Sequence, residues 1–424
     1  MIHAGPSHPG RRRFFFQAGA AGLGLLGSIG RARAIPPSER VRVGMIGVGN
    51  QGMNNLRAFL GDVVAVADVD AGRLARAKAV VEMVGGGKPC DASGDFRRLL
   101  DRKDIDAVVV TTPDHWHALA TVLACEAGKD VYCEKPLGLT VAEGRAMVAA
   151  ARRSARIVQT GSQQRSDPRF RLARDLVRSG AIGDVDRVEV GLPGVNFRGP
   201  AVADSSAPPG LDYDFWLGPA PVRPYNAHRV HYDFRFFWDY SGGQLTNWGA
   251  HHLDIVQWAL GRDDSGPAAV EGTAAYHPRK WFEVPATFDL TYTYADGPAV
   301  SCGQRYREGV TFRGRSGTLF VTRGQIESDP PEILRQALAD GAPTTAGKSH
   351  AADWIDGIKA RRPTVADVAI GHRSATVCHL GNIALRLGRK VEWDPAREAI
   401  VGDAEAQAML SRPSRSPWSL PEVG

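Results

Sequence analysis

The sequence predicts two folded units: an N-terminal α/β domain built on a doubly wound parallel sheet, then an α+β domain with an open, largely antiparallel sheet. Three observations predict this. Short apolar strands alternate with amphipathic helical stretches from residue 41 to about residue 160, as a parallel sheet covered on both faces requires. A glycine triplet stands at the first strand-to-helix turn. Beyond Gln163 the pattern changes to short runs rich in Val, Thr, Tyr and Phe, which suit a sheet with one solvated face. A chain of 424 residues, 43% hydrophobic and 23% charged, is long enough for two self-supporting cores. The expected division is a leader over 1–34, a first domain over 35–163, a second over 164–395 and a surface-packed tail over 396–424. There is no internal repeat.

The leader comes first in the chain. Arg11-Arg12-Arg13-Phe14-Phe15 fits the twin-arginine export pattern, and a weakly apolar run from Ala18 to Ile29 follows it. Ala32-Arg33-Ala34 then supplies a small-x-small cleavage site. The apolar run is shorter than the roughly 20 residues that span a bilayer, so a signal peptide is expected and a membrane anchor is not. Export in the folded state to the periplasm is the expectation. The leader also explains the charge. The net charge is +6, and removing five leader arginines, with no acid among those residues, leaves about +1. Neither a nucleic-acid surface nor a membrane-binding face is expected. The five cysteines are scattered without metal-ligand spacing and are expected to be free thiols.

After Pro36-Pro37, a strand over Val41 to Ile46 ends in Gly47-Val48-Gly49-Asn50-Gln51-Gly52. In this G-x-G-x-x-G, Gly47 permits the tight turn. Gly49 leaves room for a pyrophosphate at the helix N-terminus, and Gly52 lets helix and strand approach. A second strand, Val63 to Ala67, leads to Asp68, placed 21 residues after Gly47 to accept the ribose hydroxyls. Asp70 beside it suits a helix cap. Val69, where an arginine would favour a 2′-phosphate, points to NAD, while Arg73 keeps NADP open. A helix over Ala71 to Val84, a strand over Asp106 to Val110 and a helix from about His117 to Ala127 continue the alternation. A strand over Asp130 to Cys133, a helix over Val141 to Arg153 and a strand over Ile157 to Thr160 complete it. Ligands in such sheets bind at the carboxyl ends of strands, which places Thr111-Thr112-Pro113, His117 and Glu134-Lys135-Pro136 beside a nicotinamide.

Glu134-Lys135-Pro136, together with TTPDHWHALA (111–120), AGKDVYCEKPL (127–137) and GGQLTNWGAHHLD (242–254), resembles the Gfo/Idh/MocA oxidoreductase family. The likeness extends to the block over Gly371 to Pro395, typical of an exported branch. The resemblance implies an NAD(P)-dependent enzyme acting on a sugar or polyol by hydride transfer at a carbinol carbon, and export to a periplasm without a nicotinamide pool would require the cofactor to be tightly held. The open sheet face expected in the second domain suggests a homo-oligomer formed through that sheet. A glycoside hydrolase that oxidises its sugar transiently is the alternative, and a non-catalytic sugar-binding scaffold a third. Lys135 is the expected proton-transfer group, since partial desolvation lowers an ammonium pKa toward neutrality. Glu134 would orient it or pair with it.

In the second half a helix is expected over Arg165 to Arg178. Strands are expected over Val185 to Val190, Glu283 to Tyr294 and Val300 to Gln304, with a long loop over Gly191 to Gly210. The aromatic stretch Tyr225 to Tyr240 fits either sugar stacking or interdomain packing. Its candidates His228, His231, Tyr232 and Arg235, with Arg165 and His252, are possible substrate contacts. A helix from about Asn247 to Leu260 would place Asn247 and His251 on one face. The family pattern has Asp at the first position; Asn247 cannot take a proton, so that duty falls on His251 and Lys135 or the reaction is not simple alcohol oxidation. His251, His252 and Asp254 point too far apart to form a metal site, and none is expected. An apolar helix over Ala375 to Leu387 is expected near the first domain, with His372, Arg373 and His379 structural.

Overall fold

The computed structural model describes residues 40–342 and 347–421; the twin-arginine motif, the cleavage site and Pro36-Pro37 lie outside them. In the first domain β1 (Val43–Ile46), β2 (Val63–Ala67), β3 (Asp91–Ser93), β4 (Ala107–Val110), β5 (Asp130–Cys133) and β6 (Val158–Thr160) form one sheet. Every pairing is parallel, in the order 3-2-1-4-5-6. β1, β4 and β5 are buried throughout, which is why they read as unbroken apolar runs. The helices α1 (Asn50–Phe59), α2 (Ala71–Val84), α3 (Arg97–Leu100), α4 (Asp114–Glu126) and α5 (Val141–Arg153) connect the strands. Asp70 caps α2 through the Gly72 and Arg73 amides, and Thr140 caps α5 through Glu143. α4 begins three residues before the expected start, so Asp114 rather than His117 opens it.

The second domain contains α6 (Pro168–Arg178), β7 (Val185–Gly191), α7 (Tyr213–Leu217) and α8 (Ala250–Ala259), then β8 (Ala269–Ala275), β9 (Thr287–Thr293) and β10 (Ala299–Gly303). β11 (Gly309–Gly314), β12 (Gly317–Thr322), β13 (Gln325–Asp329), α9 (Glu332–Ala339), α10 (His350–Ala360) and α11 (Val368–Leu387) follow. β14 (Val391–Asp394), β15 (Ala399–Ile400) and α12 (Ala404–Ala408) complete the chain. Its nine strands run 13-12-11-7-10-9-8-14-15, antiparallel except for β7 with β10. α6, α8 and α11 cover one face and build the larger core with Leu253, Leu290, Phe312 and Leu380.

Two expectations about chain organisation are corrected here. The segment from 396 is not a surface tail: β15 pairs with β14, and Ile400, Ala406 and Leu410 enter the second core. α10 leaves the second domain and packs on the first, where Trp354, fully buried, meets Phe59 and Tyr132 edge-on at centroid distances of 5.3 and 5.8 Å. α11 bridges both units, with Val368 and Ala375 in the first domain's core and Ile383 in the second's. A further tie crosses near the glycine turn. The loop at 210–212 lies against the β2–α2 connection, Ala71 N donating to Gly210 O (2.8 Å) and Asp212 N to Val69 O (3.0 Å).

Candidate active site

A cavity of about 700 Å³ opens at the carboxyl ends of β1, β2, β4 and β5, between the two domains. Gly47 has φ +83°, and a Cβ there would lie 2.7 Å from the Thr111 carbonyl oxygen, so only glycine fits. Gly52 is excluded from the cavity wall but is equally constrained, since a Cβ would meet Gly47 O at 2.3 Å. α1 starts at Asn50 with Gly49 as its cap and no side chain bonded to its first amides. Gly49, Asn50 and Gln51 line the cavity, so a ready anion cradle faces it. Asp68 stands beside this cradle, its carboxylate accepting from Val48 N (2.8 Å) and Asp70 N (2.9 Å). Burial raises its pKa against the pull of those amides. Because Asp70 is the helix cap, Asp68 is left to face the ribose position.

At the other end of the cavity Lys135 Nζ donates to Asn247 twice, to the backbone O at 3.0 Å and to Oδ1 at 2.9 Å. Asn247 Nδ2 in turn donates to Gln244 Oε1 (3.0 Å), which fixes the amide's orientation. Burial pushes the Lys135 ammonium down to about 8, opposed by Glu134 and Asp114 and assisted by Arg235 and Arg323. Glu134 does not pair with that ammonium. Its Oε1 accepts from Asn55 Nδ2 (2.9 Å), Gln163 Nε2 (2.9 Å) and Gln51 Nε2 (3.3 Å), so an amide cradle holds it. His251 lines the cavity beside Lys135, and burial, then the neighbouring cations, keep its imidazole neutral.

The expected α-helix from Asn247 differs in form. Leu245–Gly249 is a single π turn and the regular helix starts at Ala250. The wider turn loosens the i→i−4 ladder, and the Asn247 carbonyl accepts from Lys135. Asn247 and His251 both reach the cavity as expected, but through that irregular turn rather than one α-helical face.

Several predicted contacts are corrected. Arg165 is fully buried and holds Asp254 through Nε (2.8 Å) and Nη2 (2.8 Å), and Asp263 at 2.7 Å. It is a clamp between the turn over Gln163–Ser166 and α8, out of a substrate's reach. The expected helix over Arg165 to Arg178 is therefore that turn followed by α6. His252 is fully buried and stacks on Trp248, outside the cavity wall. His228 also lies outside it, edge-on to Phe197. His231 lines the cavity but stands 3.7 Å from Asp70, at the ribose end rather than beside Lys135. Tyr232 and Arg235 do face the cavity, Arg235 lying 3.9 Å over the Tyr232 ring. The aromatic stretch is thus shared: Phe236, Phe237 and Tyr240 pack in a core while their neighbours line the site. Thr111, Thr112 and Pro113 line the cavity, as does His117, whose ring nitrogens contact Thr112 O (2.9 Å) and Pro136 O (2.8 Å) and tie the two loops together.

Sequence reasoning missed Asp114 and Arg323. Asp114 lines the cavity from the first turn of α4, bonded by the Ser241 hydroxyl at 2.5 Å, with burial raising its pKa. The Thr-Thr-Pro-Asp stretch carried that signal. Arg323 reaches the site from the β12–β13 turn, a position no local motif marks. Among the described residues no group of three or more His, Cys, Asp or Glu is placed to hold a metal ion.

The chain is similar to known proteins in both of its units. Residues 41–162 match the model of an oxidoreductase family's NAD-binding Rossmann fold, and residues 174–420 that family's C-terminal alpha/beta domain. Inositol 2-dehydrogenase 1 of Saccharopolyspora erythraea is 35% identical over 202 residues, which span 45% of this chain and 58% of that enzyme. A glycosyl hydrolase family 109 protein of the same organism is 34% identical over 206 residues, 42% of this chain and 45% of that protein. The fold is that of the WlbA dehydrogenase from Chromobactrium violaceum, solved with NADH and UDP-GlcNAcA, with TM-score 0.62 and 21% identity over 84% of this chain and 96% of that one.

Proposed function

Since the chain belongs to the Gfo/Idh/MocA oxidoreductase family, with its NAD-binding Rossmann fold, we propose that it oxidises a secondary hydroxyl of a sugar, polyol or sugar derivative. The observation that carries this reading is Lys135, its ammonium lowered to about 8 and aimed by Asn247 into the cavity that the glycine cradle shares. The open amides of Asn50 and its neighbours suit a pyrophosphate, and Asp68 suits the adenosine ribose. Bound there, the nicotinamide supplies the hydride acceptor. Lys135, as the neutral amine, takes the hydroxyl proton at Nζ. Neutral His251 hydrogen-bonds the same hydroxyl and steadies it. Asn247 holds Nζ in place without stabilising the ammonium as a carboxylate would, which leaves the amine more acidic.

The test is direct. Nucleotide released by acid from the purified protein should be NAD, with NADP the alternative that Arg73 keeps open. A screen of sugars and polyols should then change nicotinamide absorbance in wild type and not in Lys135→Ala. If the purified protein carries no nucleotide and ignores both when added, the reading fails.

A second reading, transient oxidation serving glycoside cleavage, is favoured by the likeness to glycosyl hydrolase family 109 proteins. Asp114, whose carboxyl burial drives toward its protonated form, is suited to donate to a leaving oxygen. Release of an aryl aglycone with no net change in NAD separates the two. The leader supports export by the twin-arginine route, with the cofactor bound beforehand. Replacing Arg11, Arg12 and Arg13 together by lysine should retain the protein in the cytoplasmic fraction.

A further inference from the structure

Three cationic side chains line the inner cavity without a carboxylate within salt-bridge distance among the described residues: Lys135, Arg235 and Arg323. Lys135 is engaged by Asn247, but the arginines are not comparably satisfied. Arg235 gives one bond, to the Tyr232 carbonyl at 2.6 Å, and its Cζ lies 3.9 Å from the Tyr232 ring centroid. Arg323 stacks on Trp248 at 4.7 Å, with Gln164 in reach of its Nε alone. Arg165, the fully buried arginine of the described chain, is by contrast tied to Asp254 and Asp263. The two cavity arginines come from separate elements, the aromatic segment and the β12–β13 turn, and both act electrostatically on Lys135.

We propose that the substrate bears a carboxylate, held by the forked guanidinium groups of Arg235 and Arg323 beside Lys135, so that the enzyme acts on a sugar acid rather than a neutral sugar. Each guanidinium sits against an aromatic ring, Arg235 on Tyr232 and Arg323 on Trp248, and the fork of N–H donors that a guanidinium carries matches a planar carboxylate. A phosphate fits less well. The backbone cradle suited to phosphate in this cavity is the glycine turn, already assigned to the dinucleotide. This inference rests on the reading of the site as a sugar oxidoreductase.

The experiment uses the purified full chain with bound cofactor and pairs of sugars that differ only in oxidation of the terminal carbon: glucose and glucuronate, galactose and galacturonate, mannose and mannuronate. Glucose 6-phosphate is included. Binding is read from nicotinamide fluorescence with NADH, and turnover from absorbance with NAD. In at least one pair the carboxylate should bind and turn over at least tenfold better. That preference should collapse toward unity in Arg323→Gln, whose side chain is exposed enough to spare the fold, and in Arg235→Lys, mainly through KM. Equal or better use of the neutral sugars overturns the inference and leaves the oxidoreductase reading standing. A preference for glucose 6-phosphate overturns the carboxylate assignment. Binding by none of these compounds counts against both.

Discussion

At the residue scale the site turns on one amine. Oxidation requires Lys135 unprotonated, and its ammonium titrates at about 8. The oxidation rate at saturating substrate should therefore rise with pH and level off above about 8, with carbonyl reduction favoured below it. Asn247→Asp tests the cause. A carboxylate 2.9 Å from Nζ stabilises the ammonium, so the midpoint of the pH profile should move alkaline by about one to two pH units. A midpoint that stays put would mean that Lys135 is not the titrating group. Lys135→Ala should lower kcat by about 10²–10⁴-fold while the dinucleotide remains bound, as equilibrium dialysis can check. Lys135 was legible because its neighbours Glu134 and Pro136 mark it along the chain. Asp114 was not singled out, because an aspartate after Thr-Thr-Pro reads as a turn residue until Ser241, 127 residues away, is placed against it.

Elements come next. The Arg165 clamp joins a turn of the first domain's exit to α8, which carries His251. Arg165→Ala leaves Asp254 buried without its cation and should cost about 3–5 kcal/mol of stability, visible as a lowered thermal midpoint. Loss of activity without loss of stability would contradict the structural role. The sequence misled here for a physical reason: an arginine near a predicted site looks like a ligand until its acids, 89 and 98 residues on, are known. Five of the six parallel strands were readable almost to their ends, since burial leaves little alternative composition, whereas the exposed edge strand β3 (Asp91–Ser93) was not read. The π turn was not, because hydrophobic periodicity has no term for a distant lysine competing for the Asn247 carbonyl. The strands β8 and β11 to β14 also escaped, being short and settled by pairing rather than by pattern.

At the scale of the whole molecule, the division into successive blocks is the reading that needed most revision. α10 closes the first domain's core from a position nearly 190 residues beyond that domain's last strand. Trp354→Ala should destabilise the protein by about 3–5 kcal/mol. Truncation before residue 350 should leave an N-terminal fragment that exposes Phe59 and Tyr132 and binds apolar dyes. The oligomer expected through the nine-stranded sheet is a proposal at this scale, and light scattering of the purified protein decides it. Among the described residues no helix is long and apolar enough to cross a membrane.

The backbone tie between residues 210–212 and the β2–α2 connection bears on the kinetics. It lies across the ribose side of the cofactor cleft, so a dinucleotide beneath it would behave as a resident prosthetic group and be regenerated where it sits. Electrons taken from one molecule would have to leave on another through the same doorway. Double-reciprocal plots of initial rate against one substrate, at several fixed concentrations of the other, should then be parallel, the signature of a ping-pong cycle.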